Sequence, residues 1–493
     1  MTKTILYRGG KLGPKYSDIE RAIVLPNVTR IGFEAFKNAK YLKSVFIPDS
    51  VETIEIDAFF GCESLREIII PDTVTQIGAR AFWGCKSLER VVLPSSLSMI
   101  DNEVFAFCSS LKEIIIPDKV RRIGEGAFFH CKSLEYVELP SSLVAIAEYA
   151  FANCSSLSHV NIPPSVRIVK FNAFSSCRSL EHIEIKGPLS RIEKSLFSDC
   201  TRLSSVTLPE SIKRIESGAF KNCSSLSEII IPEGVKGIGK KAFYSCSSLW
   251  RVSFPHSIEV INDSVFYKCK SLKEINLPSS LRELGRDAFS YCSSLERADI
   301  EGNVEIIKDR VFNKCKRLRE IILPKTMKAI GYRAFYECEE LKSIDLPDST
   351  EEIGEEAFSR CKTIECIVIP DKVKRIEKGS FKGSSSLKEV TLASSLFFIG
   401  CEAFFGCISL SNISIPSSTK SIEDEAFASC YMLEKIKLPG TIEMIGKFVF
   451  KDSKNLKKIS FSSEPKDSKV IERIKENIFI GIVYEYEKND LIG

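Results

Sequence analysis

Residues 64–85 read SLREIIIPDTVTQIGARAFWGC, and a near copy, SLKEIIIPDKVRRIGEGAFFHC, stands at 110–131. In both copies a phenylalanine lies three residues before the final cysteine. Along the 493-residue chain this phenylalanine recurs at a step of 23 without insertion or deletion. Self-similarity at a period of this order is the signature of a repeat architecture. The nineteen members of the column are Phe36, Phe59, Phe82, Phe105, Phe128, Phe151, Phe174, Phe197, Phe220, Phe243, Phe266, Phe289, Phe312, Phe335, Phe358, Phe381, Phe404, Phe427 and Phe450.

Aliphatic residues occupy fixed positions relative to each phenylalanine. Leu65 lies six residues after Phe59, and Ile68 and Ile70 follow at alternate positions before Pro71. Alternation predicts a short strand, and proline ends it because it cannot donate to a ladder. One 23-residue unit is too small to bury its own aliphatic side chains. The sequence therefore predicts a β-rich repeat solenoid of about nineteen stacked units, or rungs, with parallel strands and no long internal helices.

The repeat unit resembles the leucine-rich repeat of the BspA-like, or Treponema pallidum-type, class. The two stretches quoted above carry the resemblance, which extends over about residues 20–461. The resemblance implies a strand ladder on the concave face. It also implies a microbial surface protein that contacts host proteins, as an adhesin or antigen.

The two ends of the chain are predicted to cap the solenoid. Residues 1–19 form the N-terminal cap, the solenoid covers 20–461, and 462–493 form the C-terminal cap. In that last segment an N-cap at Asp467 or Ser468 precedes a short amphipathic helix, and IFIGIVYEYE at 478–487 is a possible strand. The apolar positions of the predicted helix are Val470, Ile471, Ile474 and Ile478.

Composition and charge narrow the classes of partner and compartment. The chain has 69 basic and 65 acidic residues, a net charge of +4, so no strong field for nucleic acid or membrane lipid is expected, and no nucleic-acid partner is predicted. No apolar run is long enough for a membrane span. The first residues lack the apolar core of a signal peptide, which predicts a cytoplasmic protein. The family resemblance instead implies the cell surface.

Sixteen of the eighteen cysteines occupy one column, three residues after the phenylalanine. The column elsewhere holds Ala39, Ser384 and Ser453, which predicts a position that needs a small side chain. We interpret the cysteines as buried, reduced spacers. Disulfides between rungs, and a redox or metal function, are the alternatives.

Two groups of outward-pointing strand residues are candidate protein-binding positions. Phe46, Ile69, Val92 and Ile115 form an aliphatic and aromatic stripe, with Arg90 among its charged neighbours. The alternative is that apolar residues at these positions only favour strand formation. The next rungs place Tyr136, Glu138, His159, Asn161, His182 and Glu184 on the same face. This second group could be a polar recognition patch, an adventitious metal site or a solvated strand face.

A further column, one residue after the phenylalanine, is aromatic in several units, including Phe60 and Trp83. These rings either cover the edge of the core or serve as anchors for a partner. Residues 234–241, GVKGIGKK, partly match a phosphate-binding loop, but Lys241 stands where that loop needs Ser or Thr.

We expect no enzyme activity and no cofactor, because no nucleophile and base pair stands outside the repeat pattern. The predicted function is a protein-binding scaffold or recognition module. The alternative is the microbial adhesin or antigen that the resemblance implies.

Overall fold

The chain forms a parallel β-solenoid of about 19 turns in a computed structural model. The structure describes residues 3–12, 18–465, 468–476 and 483–486. Contacts divide the chain into two compact units, Met1–Ser253 and Phe254–Gly493, which are described separately below. The predicted repeat solenoid is therefore confirmed.

The first of two strand ladders, here the first ladder, begins about eight residues after each phenylalanine. Where its short strands pair with the next rung the pairing is parallel, as in Glu113↔Tyr136 and Ile115↔Glu138. In the first unit these strands form separate sheets of three, two, five and two strands. Their side chains alternate between solvent and core, because successive residues of a strand point to opposite faces. In the first unit the strands are Thr4–Tyr7, Arg21–Val24, Ser44–Phe46, Glu67–Ile69, Arg90–Val92, Glu113–Ile115, Tyr136–Glu138, His159–Ile162, His182–Ile185, Ser205–Thr207, Glu228–Ile230 and Arg251–Ser253.

The second unit continues the same pattern, with one interruption. Residues 341–347 are described but adopt no regular strand. The first-ladder strands of this unit are Glu274–Leu277, Arg297–Ile300, Glu320–Ile322, Cys366–Val368, Glu389–Thr391, Asn412–Ser414, Lys435–Leu438, Lys458–Phe461 and Val483–Tyr486.

A second ladder, which the sequence analysis missed, consists of two-residue strands just before each phenylalanine. In each strand the second residue is buried and the first points outward, as in Thr53–Ile54. In the first unit the strands are Arg30–Ile31, Thr53–Ile54, Gln76–Ile77, Met99–Ile100, Arg122–Ile123, Ala145–Ile146, Ile168–Val169, Arg191–Ile192, Arg214–Ile215 and Gly237–Ile238. In the second unit they are Val260–Ile261, Glu283–Leu284, Ile306–Ile307, Ala329–Ile330, Glu352–Ile353, Arg375–Ile376, Phe398–Ile399, Ser421–Ile422 and Met444–Ile445.

The third side of each rung is a turn centred on the phenylalanine. The residues two before and two after it have positive φ, between 51° at Arg333 and 71° at Gly383. Backbone amides on this side donate to the following rung, as from Phe59 N to Ala81 O at 2.8 Å. Most of these positions are not glycine, so the turn accepts a left-handed conformation that costs non-glycine residues energy.

The repeated phenylalanines form the centre of the core within each unit. Their rings stack on the next rung, with centroids 5.0 Å apart for Phe36 and Phe59 and 5.9 Å apart for Phe174 and Phe197. Tyr7 occupies the corresponding place before the first of them, with its ring centroid 4.9 Å from that of Phe36. Its hydroxyl donates to Gly10 O at 2.8 Å, so the added polar atom is paired.

All sixteen cysteines of the column are buried and none of the eighteen is in a disulfide. Each of fifteen thiols donates a hydrogen bond to the main-chain carbonyl of the phenylalanine 26 residues earlier, with Sγ···O distances of 3.1–3.3 Å. Ser384 and Ser453 make the same bond through their hydroxyls, at 2.9 Å. At these seventeen positions the small side chain is also a donor, so the interpretation of the column as a spacer alone is incomplete. Ala39, in the first rung of the column, carries no side-chain donor.

A short helix and a last strand follow the final phenylalanine rung. The helix Ser468–Glu476 buries Val470 and Ile474, and Arg473 Nη1 donates to Ile445 O at 3.1 Å. The strand Val483–Tyr486 pairs with Lys458–Phe461. The predicted positions Asp467 and Ile478 lie outside the described residues, and the capping role of both ends stays a prediction. Across the described part of the chain, no helix has the length and apolar character to cross a bilayer.

Candidate recognition surface

The outward face of the first ladder in the first unit carries both groups of predicted binding residues. Strand pairing places equivalent residues of neighbouring rungs side by side, as in Ile69↔Val92 and Glu67↔Arg90. Neighbouring strands lie about 4.8 Å apart, so each column of side chains forms a closely spaced row.

Four members of one row form the apolar stripe, defined as Phe46, Ile69, Val92 and Ile115. The exposed fractions of these residues are 57%, 57%, 37% and 71%. The residues on either side of Ile69 and Ile115, such as Ile68 and Ile70, are buried in the core, and those beside Phe46 and Val92 are buried or half-buried. An open groove of about 610 Å³ runs beside Phe46 and Ile69. The stripe is thus an apolar surface in contact with solvent, as its sequence pattern predicted.

Charged side chains form a rim along the stripe. Arg90 Nη1 lies 2.9 Å from Glu67 Oε1, and Lys43 Nζ lies 2.8 Å from Glu20 Oε2. Each pair joins neighbouring rungs. Exposed pairs contribute little to stability, so their relevance lies in the pattern of charge that a partner would meet.

The polar patch comprises Tyr136, Glu138, His159, Asn161, His182 and Glu184. Strand pairing brings His159 beside both Tyr136 and His182, and Asn161 beside Glu184. The two imidazoles nevertheless have separate partners. His159 Nδ1 lies 2.9 Å from Ser158 Oγ, and His182 Nδ1 lies 2.7 Å from Ser205 Oγ. The structure adds these serines to the patch, which the sequence analysis did not include.

The patch does not bring its carboxylates and imidazoles together around one point. Glu184 Oε2 lies 3.1 Å from Lys186 Nζ, so that carboxylate is already paired with a cation. Within the described ranges, no group of three His, Cys, Asp or Glu side chains has the arrangement of a metal site. The arrangement offers hydrogen-bond donors and acceptors to a polar ligand.

An aromatic strip lies on the turn side of the first unit and includes more rings than the sequence analysis named. Phe60 and Trp83 stack in parallel with centroids 4.4 Å apart, and Trp83 contacts Phe107 at 5.0 Å. Ring contacts continue through Phe129, His130, Tyr149 and Phe171. Burial lowers the pKa of His130, with a smaller contribution from Lys132.

Cations lie over aromatic rings on the turn side of both units, and in the first unit Lys37 Nζ lies 5.0 Å from the ring centroid of Phe60. In the second unit Arg333 Cζ lies over both Tyr332 and Tyr336, at 4.9 Å from each centroid. Lys382 lies in the same way over Phe405 at 5.0 Å. In both units the aromatic column serves packing on the turn side, which agrees with an edge-covering role.

The chain matches the family model described as "BspA type Leucine rich repeat region (6 copies)" over residues 29–155, 121–250, 236–365 and 351–481. No curated protein matches it. A leucine-rich repeat protein from Bacteroides ovatus is 27% identical, with 89% of this chain and 88% of that chain covered and a TM-score of 0.41.

Two further solved structures are similar to the chain. A leucine rich cell surface protein from Faecalibacterium prausnitzii is 24% identical over 94% of this chain and 91% of that chain, with a TM-score of 0.31. The T. pallidum leucine rich repeat protein is 26% identical over 46% of this chain and 82% of that chain, with a TM-score of 0.25.

Proposed function

The chain belongs to the BspA-type leucine-rich repeat family, and from that premise we propose that it is a non-catalytic recognition module. Its binding surface is the outward face of the first ladder between Phe46 and Glu184. The partner is another protein, which packs an apolar segment on the stripe and makes polar contacts with the patch.

The apolar stripe is the observation that carries this proposal. Four adjacent rungs expose an apolar side chain in the same row, and none of the four is needed to fill the core. Contiguous exposed apolar surface with a polar rim is a property of protein interaction sites. Ile230 occupies the same row and is 73% exposed, yet its neighbours in that row are Thr207 and Ser253. An isolated aliphatic residue of this kind supplies the matched control.

Strand geometry supports the choice of a protein over a small molecule. The stripe is a row on stacked strands beside an open groove, with Ile69 and Val92 paired directly and the strands of Phe46 and Ile115 in the flanking rungs. A segment of polypeptide can follow such a row and place alternate side chains along it. The ion pairs Arg90–Glu67 and Lys43–Glu20 would then fix its orientation more than its affinity.

The test compares two substitutions in the row. A partner isolated with the wild-type chain is titrated by calorimetry against the double variant Ile69→Asp with Val92→Asp. We expect at least about a 100-fold loss of affinity, because two desolvated apolar contacts are replaced by charges. Ile230→Asp should bind as the wild type does. Equal affinity of the double variant, with unchanged far-ultraviolet circular dichroism, would place the binding site elsewhere.

Family membership supports a second arrangement, in which the same surface is displayed on a microbial cell and contacts a host protein. Labelling of intact source cells with a membrane-impermeant biotin reagent distinguishes the two. Labelled protein would support the adhesin function, and protein labelled only after lysis would support an internal partner.

A further inference from the structure

A cluster of cations lies on the outward face of the second ladder, within the first unit. Three successive rungs contribute the segments 167–171, 190–194 and 213–217. They supply Arg167 with Lys170, Arg191 with Lys194, and Lys213 with Arg214. All six side chains are exposed. We call these six residues the basic patch.

The basic patch is far from electrically neutral. Its three segments contain six cations and two carboxylates, Glu193 and Glu216, which leaves an excess of four positive charges. The whole chain has a net charge of only +4. The small net charge of the whole chain therefore does not reveal the local positive charge of this face, which composition alone could not predict.

The backbone holds these segments side by side. Arg191 pairs in register with Arg214, and Arg214 with Gly237. Lys213 N donates to Ser190 O at 2.8 Å, and Asn172 N donates to Lys194 O at 3.1 Å. With rungs about 4.8 Å apart, the cations form rows along the solenoid.

The two carboxylates are paired only with the two arginines that face each other. Glu216 Oε1 lies 3.8 Å from Arg191 Nη1 and 3.5 Å from Arg214 Nε, and Glu193 Oε1 lies 3.9 Å from Arg191 Nε. Among the described residues, Arg167, Lys170, Lys194 and Lys213 take part in no ion pair.

Other rungs of the second ladder also form ion pairs between neighbouring rungs. In the first unit Arg30 Nη1 lies 3.0 Å from Glu55 Oε1, the same separation in sequence as Arg191 and Glu216. In the second unit Lys308 Nζ lies 2.6 Å from Glu283 Oε1. The four cations of the basic patch that take part in no ion pair have no such carboxylate, so their countercharge can be supplied by a ligand.

We propose that the basic patch binds a linear acidic polysaccharide, whose sulfate or carboxylate groups lie along the rows of cations. The chemistry of the face favours this polyanion over others. Its strands are two residues long and lie flat, so no element protrudes to enter a nucleic-acid groove. The exposed ring nearest the patch, Phe171, meets Tyr149 edge to face, so the two do not form a parallel stack that could receive bases. Arginine forks and lysine ammonium groups bind sulfate and carboxylate without such features.

The surface is separate from the apolar stripe, so this binding is independent of the proposed protein partner. The probe is immobilised heparin, with N- and O-desulfated heparin, a DNA duplex and vesicles of phosphatidylserine and phosphatidylcholine for comparison. The test variant is Lys170→Ser, Lys194→Ser and Lys213→Ser together, since these three cations lack ion pairs. The control variant, Lys119→Ser with Lys132→Ser and Lys372→Ser, removes the same charge elsewhere.

We expect the wild type to bind heparin with an affinity that falls as salt rises, because bound cations release counterions. The test variant should bind at least about 10-fold more weakly and show a shallower salt dependence, since three contacts are lost. The control variant should bind as the wild type does. A triple Lys→Arg variant at the test positions keeps the charge and should retain affinity, which separates loss of binding from loss of folding.

Three results would overturn the proposal. The first is no retention of the wild type on heparin at about 0.1 M salt, where charges are screened beyond about 10 Å. The second is equal weakening by the test and control variants, which would indicate a response to net charge alone. The third is tighter binding to the duplex or to the vesicles than to heparin, which would assign the patch to a nucleic acid or a membrane surface.

Discussion

The hydroxyl of Ser384 lies 2.9 Å from the main-chain carbonyl oxygen of Phe358, where neighbouring rungs place a thiol. Cys361, one rung earlier, makes the corresponding bond to Phe335 O at 3.2 Å. The shared feature of the two residues is a donor, and the buried carbonyl is what they satisfy.

Replacing a thiol of the column by serine or by alanine should therefore have different consequences. Cys200 donates to Phe174 O at 3.2 Å. We expect Cys200→Ala to lower the free energy of unfolding by about 1–3 kcal/mol, because a buried carbonyl loses its partner. Cys200→Ser should cost clearly less. Denaturant unfolding of the full chain measures both, with Cys366→Ala as an exposed control. Equal losses in the free energy of unfolding for the alanine and serine variants would show that the cysteine column has a purely steric role.

The buried thiols should also make the stability of the folded chain decrease at alkaline pH. Burial raises the pKa of Cys177, Cys361 and Cys430 to about 12, whereas a thiol in the unfolded chain ionises near 8.5. Their contribution to stability is complete below the unfolded pKa, and it is lost as the pH rises toward the folded one. Each such group should remove up to about 1.4 kcal/mol per pH unit in that window.

The measurement is the melting temperature of the wild type and of the triple variant Cys177→Ser, Cys361→Ser and Cys430→Ser between pH 7.5 and 10.5. The variant should lose stability less steeply. A Cys366→Ser chain should follow the wild type, because that thiol is exposed on the first ladder. Identical slopes in all three chains would contradict the expectation.

The prediction from sequence succeeded where a side chain faces a repeated environment. The column of Phe36 and its successors gave the period, and alternation around Ile69 identified the outward positions before any coordinates. Short strands could not be predicted in this way, because a two-residue strand such as Thr53–Ile54 is too short to show a periodic pattern. Residues in the left-handed backbone conformation, such as Phe107 and Tyr149, could not be predicted either, because neither residue type favours positive φ. The basic patch needed the register that brings Arg191 beside Arg214.

Two glycines of the turn side should differ in their tolerance of alanine. Gly61 and Gly84 have φ of 69° and 70°, so each substitution should cost about 1–2 kcal/mol in backbone strain. A Cβ on Gly61 would also lie 2.6 Å from Asn38 Oδ1, whereas one on Gly84 meets nothing closer than 3.9 Å. Thermal unfolding should rank Gly61→Ala as the more damaging change. Adding Asn38→Gly should remove the difference, and a persistent gap would point to another cause.

Phenylalanines three residues apart should differ in their contribution to stability. Phe174 is fully buried in the central stack, and Phe171 is 36% exposed on the turn side. Phe174→Ala should cost about 3–5 kcal/mol, since it leaves a cavity among packed rings. Phe171→Ala should cost much less. Hydrogen exchange resolved by peptide would show whether the loss is confined to the neighbouring rungs, and similar losses for both variants would contradict the assignment of the core.

Deletion of residues 465–493 should expose the end of the solenoid. The helix Ser468–Glu476 buries Val470 and Ile474, and the strand Val483–Tyr486 pairs with Lys458–Phe461. We expect a lower melting temperature and aggregation of the shortened chain, because the last rung would present an unpaired strand edge. Sedimentation and thermal unfolding measure both, and an unchanged, monodisperse product would show that the segment is not a cap.

The hydrogen bond from each cysteine or serine of the column to the phenylalanine carbonyl 26 residues earlier has a consequence for the evolution of such a chain. Each rung supplies a donor to the rung before it and an acceptor to the rung after it, so every internal junction is chemically the same. A duplication or loss of one complete 23-residue unit leaves no group unpaired at the new junction. Copy number can therefore drift by whole units during evolution, while a change of any other length would break the pairing at once.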